Sequence, residues 1–148
     1  MKPRLVMVVL AGGLLLAAGA ARPAQPGRDL DTLQGTWTQV FAIEDGQMVA
    51  EQAARSRSLT ISGNRFTFAD NGRTVAQGTV ELHARQQPPA IDFRFTEGPD
   101  AGKVQMGIFG WESNTLRLCL APAGHSRPAD FASTRGTGLT LAYYQPRR

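Results

Sequence analysis

The sequence predicts an all-β fold in which eight antiparallel strands, in up-and-down order, curl into a closed barrel with one short helix after the first strand. Three observations carry this expectation. Apolar residues recur at every second position, as in Leu59 and Ile61, Phe66 and Phe68, Val80 and Leu82, and Ile91, Phe93 and Phe95, which is the pattern of strands with one buried face. Turn formers separate these runs: Ser62-Gly63-Asn64, Asp70-Asn71-Gly72, Pro88-Pro89, Glu97-Gly98-Pro99 and Ser113-Asn114. Most connections are short, so sequential strands pair as neighbours, and a meander of this length hides its two edges by closing.

Lys2 and Arg4 precede an apolar, Gly- and Ala-rich run from Leu5 to Ala21, followed by Arg22 and Pro23. This is the layout of a secretory signal peptide over residues 1–21, with a small-x-small cleavage site at Ala18-Gly19-Ala20 or one residue beyond. The run is short for a bilayer span. The expectation is therefore an exported chain, periplasmic or extracellular, with no membrane span after cleavage. Residues 22–29, with Pro23, Pro26 and Gly27, read as a flexible tether, and residues 30–146 as a single barrel domain. Strands are expected over residues 35–43, 58–62, 65–69, 73–84, 90–96, 104–111, 115–121 and 139–145. The helix falls at residues 50–56, "AEQAARS", which are strong helix formers.

Two local registers can be derived. A two-residue turn at Ser113-Asn114 sets Trp111 opposite Leu116 and Phe109 opposite Leu118, turning all four inward with Leu120. A three-residue turn would put Met106 and Ile108 inside instead, and the shorter turn is expected because it buries the two aromatics. Alternation then sends Arg117 and Cys119 outward, with Met106 and Ile108 joining Cys119 in an apolar stripe on that outer face. Bare, such a stripe is costly, and the long segment after Pro122 is available to cover it. We expect "RPADFAS", beginning at Arg127, to cross the stripe, with Pro128 fixing the chain direction and Phe131 lying over it. On the last strand the recurring apolar residues are Leu139, Leu141 and Tyr143.

Composition narrows the function classes. Losing Lys2 and Arg4 with the leader lowers the formal net charge from +4 to +2. The arginines are scattered and no aromatic residues interleave with them, so nucleic acid is not an expected partner. Cys119 is the only cysteine, which excludes an internal disulfide and leaves packing to stabilise the fold. Among leucines it reads as a small buried hydrophobe.

No catalytic residue, metal ligand set or cofactor motif is found. His83 and His125 are too few and too far apart in sequence to suggest a zinc site. "GPDAGKV" at residues 98–104 has one residue too few for a phosphate loop and a Val where Ser or Thr is required. Neither Gly-x-Ser-x-Gly nor His-Glu-x-x-His occurs. Glu97 and Asp100 flank a turn proline, where carboxylates act as solvated caps. The expectation is a non-enzymatic protein.

Gly35 and Trp37, in "LQGTW", resemble the Gly-x-Trp signature on the first strand of lipocalins. That resemblance implies a tryptophan plugging the closed end of the barrel and a glycine letting the chain pass close beneath it. Over nearly the whole mature chain, "LQGTWTQVFAIEDGQ", "RFTFADNG", "AIDFRFTEGPDAGK", "GIFGWESNTLRLCLAP" and "RPADFAS" together resemble a planctomycetes-type exported domain for which no activity can be carried over. Gly110 and Trp111 depart from that pattern, which has an acidic residue and a smaller apolar one there.

Two functions suit such a barrel. In the first, an interior lined by Trp37, Phe66, Phe68, Phe93, Phe95, Phe109 and Trp111 holds a small apolar ligand, with residues 50–56 as a lid. In the second, those side chains fill the interior, and a packed, monomeric barrel presents a loop or edge to a protein partner as an interaction or inhibitor-type module.

Overall fold

The computed structural model describes residues 26–148. The signal peptide expected at residues 1–21 and the first four tether residues lie outside the described residues. The order of elements is α1 (Pro26–Asp31), β1 (Gly35–Glu44), β2 (Gln47–Met48), α2 (Glu51–Arg55), β3 (Arg57–Ser62), β4 (Arg65–Asp70), β5 (Arg73–His83), β6 (Ala90–Glu97), β7 (Val104–Glu112), β8 (Thr115–Leu120) and β9 (Thr140–Pro146). From β3 to β9 each strand pairs antiparallel with the next, β3 also pairs with β1, and β9 returns to β1. The result is a closed eight-stranded barrel, with β2 as a two-residue hairpin extension of β1.

Two elements correct the expectation. Pro26–Asp29 belong to α1, not to a tether. Pro is tolerated in a first helical turn, and Leu30 and Leu33 from this segment pack against the core, so burial overrides a composition that reads as linker. The short β2 arises because Asp45 and Gly46 both take positive φ, 48° and 78°, as a tight hairpin turn requires.

One end of the barrel is closed. Trp37 is only 5% exposed, and its Nε1 donates to the Leu33 carbonyl at 2.9 Å. Gln34 clips the same end to the β3–β4 turn, donating to the Gly63 carbonyl at 2.9 Å and accepting from the Gly63 amide at 2.7 Å. Gly35 has φ 110° and open space where a Cβ would project. Its need is therefore conformational, which corrects the close passage implied by the resemblance.

The Ser113-Asn114 turn has the expected register, pairing Trp111 with Leu116 and Phe109 with Leu118. Phe109 is buried, but Trp111 is 41% exposed, contrary to the expectation for an inward aromatic. It is one residue from the end of β7, beyond the filled interior, where its ring leans on Trp37 with centroids 5.6 Å apart.

Three register shifts occur toward the other end. Gln39 faces Tyr144 while Phe41 faces Tyr143, so Val40 is an unpaired extra residue in β1. Val75 in β5 and Thr96 in β6 are extra in the same way. Such bulges change which side chains face inward. Past Val40, the paired residues Ala42 and Ala142 join the interior core, while Phe41 packs edge-on against Tyr143 on the outside. The phase of β9 is thus opposite to the one suggested by Leu139, Leu141 and Tyr143: Ala142 and Tyr144 point in, and Leu141 joins Ile108 and Cys119 in a second, outer cluster.

The segment after β8 crosses that outer cluster as its sequence suggests. Phe131 packs on Ile108, Cys119 and Leu141, and the Arg117 guanidinium stacks 3.8 Å above the Phe131 ring. Gly110 leaves room for both, since a Cβ there would meet Phe131 at 3.3 Å and Arg117 at 3.4 Å. Arg127 anchors the start of the crossing through Nη1, which donates to Asp92 Oδ1 at 2.7 Å and to the Gly107 carbonyl at 2.8 Å. Pro128 is buried. The far end is tied to the β1–β2 turn, where Asp45 Oδ1 accepts from the amides of Gly136 at 2.8 Å and Gly138 at 2.9 Å.

Candidate functional site

The seven aromatics expected to line a ligand cavity divide into a plug and a wall. Phe66 lies within 4.9 Å of Phe93 and 5.4 Å of Phe95, centroid to centroid, in edge-on geometry. With Trp37 and Phe109 they form the buried core and are closed off from any ligand. Trp111 closes the end beside Trp37. Phe68, 5.3 Å from Phe66 and 5.2 Å from Phe93, lines a cavity at the mouth of the barrel.

That cavity, of about 320 Å³, opens at the mouth formed by the end of β1 and the starts of β3, β5 and β9. Phe68, Ala76 and Leu120 supply apolar wall. The rim is polar: Arg57 Nη1 donates to Glu44 Oε1, and Asp70 Oδ1 accepts from the Ser56 hydroxyl at 2.6 Å. Arg57 and Asp70 are cross-strand partners on the β3–β4 hairpin, and Glu44 reaches the rim from the end of β1. The helix α2 lies against β1 and β3 and contributes no residue of its own to the cavity lining. It is therefore not the lid expected of residues 50–56.

Below the rim, Gln39 and Tyr144 face each other across the β1–β9 pair. Both line the cavity and both are nearly buried, at 3% and 4% exposure. Gln39 Nε2 donates to the Tyr144 hydroxyl at 3.1 Å, while Gln39 Oε1 has no partner. Burial pushes the Tyr144 phenol up to about 12, against smaller downward pulls from the Gln39 hydrogen bond and the Arg57 charge. Tyr144 is therefore a neutral hydrogen-bonding group at physiological pH rather than a base.

Sequence reasoning did not pick out Gln39 or Tyr144. Gln39 carried a signal, because period two from Trp37 puts it inside, where a polar residue is unusual. Tyr144 carried none that could be separated from Tyr143 beside it.

Other reactive groups are engaged structurally. Among the described residues, no three His, Cys, Asp or Glu side chains group to hold a metal ion. His83 is partly buried and pairs through Nε2 with Asp92 Oδ2 at 2.9 Å. Burial pulls the Asp92 carboxyl upward, but hydrogen bonds from Arg127 and His83 outweigh it and hold the group below its ordinary value.

Cys119 is fully buried, and its thiol contacts the Ala132 carbonyl at 3.4 Å. Burial pushes its pKa upward, further raised by the Asp130 charge and opposed by the Ala132 contact. Native protein should accordingly react slowly with a thiol reagent at neutral pH and the unfolded chain rapidly. Equal rates would show that the Phe131 crossing does not shield the thiol.

No helix among the described residues is long and apolar enough to cross a membrane. No protein family, curated protein or solved structure matches the chain.

Proposed function

We propose that the protein is an exported, non-catalytic barrel of lipocalin-like type that binds one small apolar molecule in the mouth cavity. The observation that carries this reading is the cavity itself. Its volume of about 320 Å³ falls within the range of small-molecule sites, and apolar walls with a few convergent polar groups are what such sites present. The signal-like leader supports export, and the five sequence blocks support kinship with the planctomycetes-type exported domain.

Native mass spectrometry of protein recovered from outside the cytoplasm tests both points, reading loss of the leader together with a retained apolar mass. In parallel, 1-aminoanthracene should bind at one per barrel with enhanced fluorescence, and Ala76→Phe, which fills the cavity from its wall, should abolish binding. Dye binding unchanged by Ala76→Phe would place the dye elsewhere and remove the support for the cavity. No dye binding and no retained mass would overturn the reading.

One observation favours a second reading, a protein-interaction module: Val40, Phe41, Ile43, Leu141 and Tyr143 line an apolar groove on the outer face of β1 and β9. Clusters of this kind on an outer face can serve protein partners.

A further inference from the structure

The apolar walls of the mouth cavity do not explain its polar floor. A buried polar atom left without a partner costs about 1 to 3 kcal/mol, and Gln39 Oε1 is such an atom. The only hydrogen bond at the Tyr144 hydroxyl among the described residues is the one it accepts from Gln39, so its own hydrogen is also unspent. Turning the amide over exchanges the roles but not the count: the pair always retains at least one donor and one acceptor.

We propose that Gln39 and Tyr144 form a polar anchor at the bottom of the cavity, and that the ligand is a neutral molecule with an apolar body and a single hydroxyl or amide group, bound polar end first. This rests on the reading of the mouth cavity as a ligand site. A hydroxyl or an amide meets one donor and one acceptor at once, whereas an ether or a hydrocarbon cannot. An ionised head is disfavoured, because the floor is buried enough to keep a phenol neutral to about pH 12. The cation that lines the cavity, Arg57, is already paired with Glu44. Phe68, Ala76 and Leu120 line the same cavity and offer the surface against which an apolar body would lie.

Isothermal titration of the intact protein with 4-propylphenol, 4-propylanisole and 4-propylbenzoate tests the anchor. The phenol and the anisole differ by the donor hydrogen, and the phenol should bind about tenfold or more tightly. In the double variant Gln39→Met/Tyr144→Phe, which removes both acceptors for the phenol hydrogen, that gap should close to about twofold or less, whereas either single variant keeps one acceptor and part of the gap. Equal binding of phenol and anisole to the native protein would overturn the anchor while leaving the cavity a ligand site. Tighter binding of the benzoate would overturn the neutral head. A gap that persists in the double variant would place the hydroxyl contact elsewhere, again against the anchor. Failure of all three compounds to bind, together with absence of dye binding, would overturn anchor and cavity reading alike. The comparison of phenol with anisole on the native protein needs no variant to fold.

Discussion

Trp37→Ala is expected to lower the unfolding free energy by roughly 3 to 5 kcal/mol. The indole is 5% exposed and ties β1 to two further segments. Its ring supports Trp111 from β7, and its Nε1 donates to the Leu33 carbonyl beyond α1. Removing the side chain leaves a void at the closed end and strips a hydrogen bond from a buried carbonyl. The neighbouring Trp111, 41% exposed, serves as the control, since its truncation removes a similar ring with less buried area and should cost less than half as much. Urea melts of the two variants decide the matter. Equal losses, or a near-native midpoint for Trp37→Ala, would mean that α1 and Trp37 do not close the barrel.

Gly78→Ala should cost about 3 kcal/mol, although it adds a single methyl group. Gly78 pairs with Phe66 on one side and Phe95 on the other. A Cβ at this position would overlap the Arg94 carbonyl oxygen and come within 3.0 Å of the Phe66 ring. The carbonyl belongs to the β6 backbone next to the Thr96 bulge, so relief requires parting two strands of a closed barrel. A rotamer change cannot provide it. Thermal melting of Gly78→Ala within a few degrees of the native protein would show that β5 and β6 can separate there without loss.

Strand positions were legible because inward Phe, Leu and Ile alternate cleanly with polar residues, and because Gly and Asn punctuate the turns. The Ser113-Asn114 register is that of a two-residue turn, although the burial of Trp111 that favours it over a three-residue turn does not hold, and the outer stripe covered by Phe131 contains Ile108 and Cys119 with Leu141 rather than Met106. The phase of β1 and β9 escaped detection for a physical reason. On β1 and β9 both faces are apolar, with Phe41, Ile43, Leu141 and Tyr143 outside and Ala42 and Ala142 inside, so alternation cannot say which set is buried. A bulge leaves no trace in composition that would break the tie. The position of the cavity is hidden for a related reason. Of the large apolar residues expected to line it, Phe68 does, while Trp37, Phe66, Phe93, Phe95 and Phe109 fill the space they reach. Room remains where the small Ala76 stands in the wall, and small residues on a strand attract no notice.

Because Val40 has no partner on β9, cavity and outer groove are two faces of the same insertion. Were Val40 drawn into regular pairing instead, Phe41 and Ile43 would swing into the mouth while Ala42 and Glu44 turned outward: the cup would become a plug, and the groove outside would lose its grease. Capacity for a guest and adhesiveness toward a neighbour are thus drawn from one stock of side chains, distributed by phase rather than by kind. Losing Val40 outright would leave that phase as it is, with Gln39 still opposite Tyr144 and Phe41 opposite Tyr143; the pairing of one residue, not its presence, divides cup from plug.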